Sequence, residues 1–246
     1  MKTNAIESTS IPRCLTLAAA VSLLGVLTAG AAVIVTPSFE LQTSPFTPSW
    51  GNTVGTNLLS GLLPTSTVGA TVGSNTAGLG ALTDGVVGPI TAYQPDPYPT
   101  ALQAYVGTGP GGFSQATYSL GATGVQLSSI AVYGGWIDPG RDSQSFRVSY
   151  STNNGTTYTP LALGTNSVTA AYGHDQSVAN RTIVTDGTGI LAGGALITNL
   201  RFDFTPVENG WTGTSEIAAF AVPEPGIAAL LLSLGAVGFM RRRRAS

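Results

Sequence analysis

Apolar and polar positions alternate with a period of two through much of the middle of this chain. In residues 145–151, Phe146, Val148 and Tyr150 fall on one side, while Ser145, Arg147, Ser149 and Ser151 fall on the other, as in a strand with one buried face. Asn153-Asn154-Gly155 follows, and residues 157–163 resume as a return strand, so the pair reads as a hairpin with glycine at its turn. Residues 200–204 alternate in the same way, and further strands are predicted at 116–120, 128–133, 168–172, 181–185 and 215–221. No stretch between Phe39 and Phe220 sustains a 3.6-residue apolar period with capping signals, so little helix is expected. Short strands rich in Thr, Val, Ile, Tyr and Phe, separated by Gly, Pro and Asn, predict an all-β sandwich or barrel. Residues 51–91 are dominated by Gly, Thr, Ser, Leu and Val and give no assignable strand, and residues 93–99 form a stiff proline-rich loop.

The two ends follow other rules. Residues 1–31 read as a secretory signal peptide: Lys2 and Arg13 precede or open an apolar run over 14–27, and Ala29-Gly30-Ala31 supplies small residues for cleavage, expected after Ala31. Cys14, the single cysteine, lies inside that run without a lipobox, so the processed protein is expected to have neither disulfides nor cysteine-based metal sites. At the other end stand Val222, Pro223, Glu224 and Pro225, whose prolines lack an amide proton and break any helix or ladder. An uncharged run over 226–240 follows, long enough for a helix of about 22 Å against a hydrocarbon core of about 30 Å. Snorkelling arginines and a thinned bilayer would permit that short transmembrane helix, and Arg241, Arg242, Arg243 and Arg244 would hold its end on the cytoplasmic side. A tail-anchored or single-pass protein on a proline-rich stalk is the plain alternative.

The order of these blocks over 222–244 resembles the PEP-CTERM sorting signal of Gram-negative bacteria. The resemblance implies processing by signal peptidase and an exosortase, a transient stay in the inner membrane, and delivery to the cell surface or extracellular matrix. It divides the chain into a signal peptide (1–31), a β-sandwich body (32–221) and a sorting segment (222–246).

Charge changes once the ends are set aside. The body keeps only Arg141, Arg147, Arg181 and Arg201 against ten carboxylates, about six negative charges net, a surface that repels phosphate backbones and argues against nucleic acid as a partner.

Within the body, Leu82-Thr83-Asp84-Gly85 is followed by Tyr118-Ser119-Leu120-Gly121, Ile130-Ala131-Val132-Tyr133, the strand at 146–151 with its Asn154-Gly155 turn and Tyr158, the segment 197–204, Glu208-Asn209-Gly210-Trp211 and Ser215-Glu216-Ile217. Over about residues 80–221 this series resembles the galactose-binding-like jelly roll of discoidin domains and several carbohydrate-binding modules. The resemblance implies a jelly-roll β-sandwich, here flanked by an N-terminal signal helix and a C-terminal hydrophobic helix. It also implies that Asp84 and Glu216 meet, with loop carbonyls, around a structural calcium ion, which takes six to eight oxygens. The competing reading makes Asp84 an Asx turn before Gly85 and Glu216 a surface strand residue.

Loop aromatics suggest a ligand. Trp136 follows two glycines, and Tyr93 and Tyr98 sit in the proline-rich loop; such rings stack on sugar C–H faces, while Asp138, Arg141 and Asp142 are near enough in sequence to bond hydroxyls. Trp136 can equally plug a core, the reading favoured for Trp211, and Arg141 with Asp142 can form an internal ion pair. Catalytic signatures are weak. Gly107-Thr108-Gly109-Pro110-Gly111-Gly112 has the dinucleotide-loop spacing without a βαβ unit around it. His174, the sole histidine, stands in a polar turn, Ser114 lacks the final glycine of a nucleophile elbow, and nothing selects a carboxylate pair. The expectation is an exported, non-catalytic surface or matrix protein that contacts glycan or exopolysaccharide. A structural matrix protein or protein-binding adhesin without sugar affinity is the alternative, and a hydrolase the third.

Overall fold

The computed structural model describes residues 32–41, 48–69, 78–87, 106–108, 114–135, 142–167, 178–205 and 212–223. They form ten strands: β1 (Val33–Leu41), β2 (Ser66–Val68), β3 (Val106–Thr108), β4 (Gln115–Ser119), β5 (Leu127–Gly134), β6 (Gln144–Ser151), β7 (Thr159–Asn166), β8 (Val178–Asp186), β9 (Asn199–Phe204) and β10 (Thr212–Ala221). Two short 3-10 turns, Gly78–Leu82 and Leu191–Gly194, are the helical elements among the described residues. One sheet has the order β1-β8-β5-β10-β3 and the other β2-β4-β9-β6-β7, every pairing antiparallel. Among these strands only β6 and β7 are consecutive within one sheet; all the other connections cross between sheets. That crossing is the winding of a rolled-up, jelly-roll sandwich.

The alternating strands close on one core. Tyr118, Phe146, Val148, Leu200 and Phe202 from the second sheet meet Ile130, Val132, Val184, Ile217 and Ala219 from the first, and the Tyr118 ring stands edge-on to Phe202 with centroids 6.2 Å apart. Leu59 and Leu82 belong to the same core, so the segments around them are part of the sandwich. Phe146 lies across Gly164, its partner on β7, where an added Cβ would come within 2.3 Å of the ring. A bulge after Val148 shifts the register with β7, and Ser149, opposite Arg201 on β9, is buried as well. At the hairpin, Asn154 and Gly155 both take positive φ, 54° and 80°, and the Ser151 hydroxyl accepts the N–H groups of Asn153 and Gly155.

The outer face of the first sheet is covered too. Val87, Ala131, Tyr133 and Ala218 pack with Trp50, Val54, Ile183 and Phe220, beneath two segments joined by Val54 N–H to Gly85 O and Val87 N–H to Asn52 O, each 2.8 Å. Burial on both faces explains why Ile217-Ala218-Ala219-Phe220 is continuously apolar. Arg181 lies 4.8 Å over the Trp50 ring.

β1 is a strand that alternation does not announce, because Pro37 interrupts it. It is an edge strand, where a missing N–H is tolerated. The strand expected at 168–172, the signal peptide at 1–31, the apolar run at 226–240 and the arginines at 241–244 lie outside the described residues. Among the described residues, no helix is long and apolar enough to cross a membrane.

Register fixes the two ends of the sandwich. β1 begins opposite Asp186, and β10 ends opposite Leu127, the first residue of β5. Val33 and Ala221 therefore leave from one end, the exit rim, together with the connections 120–126, 151–158 and 187–198. The connections after β5, β7 and β9 leave from the other end, the mouth.

Candidate functional site

Glu216 sits beside a bulge in β10 and is fully buried. Its Oε2 accepts the Gly85 N–H at 3.1 Å, while Oε1 has no hydrogen-bond partner. Burial pushes the Glu216 carboxyl up to about 8; the Gly85 N–H opposes this, the Asp84 charge adds to it, and the Asn57 amide opposes it. The Asn57 Nδ2 nevertheless closes no hydrogen bond, and its Oδ1 accepts from Leu59 N at 2.8 Å and Ala219 N at 3.4 Å. Asp84 makes the Asx turn, its Oδ1 accepting the Val86 N–H at 2.8 Å. The fold thus brings Asp84 and Glu216 to one place, with Glu216 inside rather than on the surface. No group of three or more His, Cys, Asp or Glu side chains gathers among the described residues. Two carboxylates supply at most four oxygens, so a calcium shell of six to eight would need backbone carbonyls and water as well.

The mouth holds a second polar group that lies between the sheets. Gln144 pairs with Asn166 across β6 and β7, and Asn180 stands opposite Gly134; with Ser215, these side chains are at most 2 % exposed. Both side-chain heteroatoms of Gln144 and of Asn166, the Asn180 Oδ1 and the Ser215 Oγ have no partner. Two of these amides converge on the bare Cα of Gly134, where an added Cβ would lie 2.1 Å from Gln144 Nε2 and 3.0 Å from Asn180 Oδ1. Asn180 Nδ2 donates to the Asp142 carbonyl. Each unpaired buried group costs about 1–3 kcal/mol, and this uncharged set of donors and acceptors suits hydroxyl groups, whether of water or of a polyol.

Asp142, expected to face a ligand, is fully buried, and its Oδ2 accepts the Val178 N–H at 2.7 Å; the carboxylate fixes the start of β8. Trp136, Asp138 and Arg141 belong to the connection that leaves this same mouth, but they lie outside the described residues, as do Tyr93, Tyr98 and Trp211. Gln144, Asn166 and Asn180 escaped the sequence reading. The available signal was phase: Gln144 lies two residues before Phe146 and so on the same, buried side.

At the exit rim β10 runs without interruption into the tail. The Val222 N–H donates to Gln126 O at 2.9 Å, and the Ser128 hydroxyl bonds the carbonyls of Phe220 and Ala221 at 3.2 and 3.0 Å. Gly124, Val125, Gln126 and Leu196 line a notch beside Ala221 and Val222. Residues 221–244 match the PEP-CTERM protein-sorting motif. No curated protein matches the chain. The PEP-CTERM match marks an exported protein sorted to the cell envelope and processed by an exosortase. Its first residue is the last of β10, and Pro223 is exposed. Glu224, Pro225 and Arg241, Arg242, Arg243 and Arg244 lie beyond the described residues, as do Ala29 and Ala31 at the expected signal cleavage.

Proposed function

We propose that this PEP-CTERM protein is a non-catalytic surface or matrix protein of a Gram-negative bacterium whose mouth binds glycan or exopolysaccharide hydroxyls. The observation that carries the reading is the set of buried, unpartnered amide atoms at the end from which the Trp136 connection departs: both heteroatoms of the Gln144 and Asn166 side chains and the Asn180 Oδ1. A glycan array and a polysaccharide pull-down with the secreted protein test it. Binding is expected, weakened about tenfold by Gln144→Met for the loss of one hydrogen-bonding group. Two empty screens would remove the glycan reading and leave export standing. Incubation with a polysaccharide panel is expected to release no product; turnover abolished by a single carboxylate change would make the protein a hydrolase.

A structural calcium ion held by Asp84 and Glu216 belongs to the same proposal. Its support is the unpartnered, buried Oε1 of Glu216 beside a second carboxylate. Calorimetric titration of chelator-stripped protein should give heat and a raised melting temperature; neither change would sink it. The second reading, an adhesin or matrix protein without sugar affinity, draws on Asp142, whose carboxylate is enclosed and engaged in the fold. It predicts altered biofilm cohesion in a deletion strain without sugar binding. Mass spectrometry of the secreted termini, compared with an exosortase-deficient strain, tests signal cleavage after Ala31 and processing of the tail together.

A further inference from the structure

The body's two membrane-directed segments attach at one rim of the sandwich. Val33 opens β1 opposite Asp186, and Ala221 closes β10 opposite Leu127, so the signal peptide and the sorting segment flank the same end with almost no spacer. From Val222 to the start of the apolar run at Gly226 is four residues, a reach of at most about 14 Å. The rim's composition matches that closeness. Its connections, 120–126, 151–158 and 187–198, with the strand ends 32–36 and 221–223, contain no Asp, Glu, Lys, Arg or His. Asp186, next to them, is turned inward and hydrogen-bonded to Thr188 and Ile190, and Arg201 stacks 4.6 Å over Tyr158 at the rim's edge. Val33, Ile34 and Leu196 are exposed large apolar side chains of the rim, Leu196 at 55 %.

The mouth is the opposite case. Its connections carry Asp138, Arg141, Asp142, His174, Asp175 and Glu208. An eight-residue strand such as β6 sets the two ends about 26 Å apart, well beyond a screening length of about 10 Å. A body with an excess of carboxylates meets an anionic lipid surface with least repulsion when its exposed acids are held away from it, and apart from the enclosed Asp186 and the tail's own Glu224 this distribution does so.

The geometry points to this rim, whose connecting loops carry no charged side chain, as a membrane-resting surface: while the tail is inserted, the loops 120–126 and 187–198 lie on the phospholipid headgroups and the mouth faces outward. This rests on the reading of the sorting segment as membrane-inserted. The test uses the full-length chain with Cys14→Ser, which removes its one cysteine, and single dye-labelled cysteines from Ala122→Cys or Leu196→Cys on the rim and Ser167→Cys beside the mouth, all at exposed positions. Each is reconstituted in phosphatidylethanolamine and phosphatidylglycerol vesicles whose headgroups carry a nitroxide quencher, and co-sedimentation is measured on the same samples. Loss of fluorescence at Ala122 and Leu196, with full emission at Ser167, is the expected result. Sedimentation with bright rim labels, or with equal quenching at all three positions, overturns the resting surface and leaves the inserted tail intact. Failure to sediment overturns the inserted tail, and the resting surface with it.

Discussion

Polar side chains are buried at both ends of the sandwich, but Asp186 and Thr198 at the exit rim are hydrogen-bonded, while the side chains of Gln144 and Asn166 at the mouth are not. Asp186 accepts the Thr188 N–H and hydroxyl at 2.8 and 2.7 Å and the Ile190 N–H at 3.1 Å, and Thr198 ties itself to Ser151 and Asn154. The side chains of Gln144 and Asn166 bond no protein atom. Two of the buried acids, Asp186 and Glu216, differ in the same respect. Burial works to raise the Asp186 carboxyl, yet the Thr188 hydroxyl and the N–H groups of Thr188, Ile190 and Gly189 hold it below its ordinary value; Glu216, with one hydrogen bond, rises to about 8. Burial alone does not set the state of a polar group; the number of donors that reach it does. A rim built this way is a structural closure, whereas the mouth keeps hydrogen-bonding capacity in reserve.

Four measurements test that contrast, and the largest effect is expected at the rim. Gly124 has φ +67° and would place a Cβ 2.8 Å from the Leu196 carbonyl carbon, so Gly124→Ala should lower stability in urea by about 3 kcal/mol through overpacking and left-handed strain. Asp186→Ala leaves the Thr188 and Ile190 N–H groups without their acceptor and should cost about 1–2 kcal/mol. Because the wild-type carboxyl is held below its ordinary value, that difference is full at neutral pH and should shrink as pH falls through the lowered pKa, where the protonated carboxyl is a weaker acceptor. An unchanged difference in acid would break the pairing argument.

Glu216 should behave in the opposite sense. Between its ordinary 4.5 and about 8 the folded protein keeps a proton that the unfolded chain has lost, so calcium-free stability is full below that window and falls as pH rises through it. The slope is at most about 1.4 kcal/mol per pH unit, and Glu216→Gln should flatten it in urea titrations at pH 5 to 9. The smallest effect belongs to the mouth. Gln144→Met removes groups that bond no protein atom, so its melting temperature should stay level or rise slightly; a loss comparable to that of Asp186→Ala would erase the difference between the ends.

Much of the fold is legible in alternation, since Phe146, Val148, Leu200 and Phe202 lie on buried faces of strands that period two locates. β1 is hidden by Pro37, because only the finished sheet order reveals that the strand has a free edge. The stretch around Asn57 carries no period: its backbone is held by side chains, Asn57 N–H to Ser60 Oγ and Leu59 N–H to Asn57 Oδ1, and not by a regular ladder. The meeting of Asp84 and Glu216 followed from resemblance and could not follow from spacing, since it depends on how residues 50–54 and 84–87 fold over the outer face of a sheet. The mouth was the least legible part. Gln144 looks like a polar strand flank until pairing sets it opposite Asn166, and Asp142 looks like a loop acid until Val178 is folded against it.

The position of β10 also orders events in time. It is the last strand of the body to emerge during synthesis and export, yet it lies between β5 and β3 and brings Ile217 and Ala219 into the core. The first sheet therefore stays open between β5 and β3 until residue 221 has crossed, and the sorting segment follows at once. Completion of the fold and emergence of the sorting signal become nearly simultaneous, so an exosortase that acts on the tail meets a substrate whose body has only just been able to close.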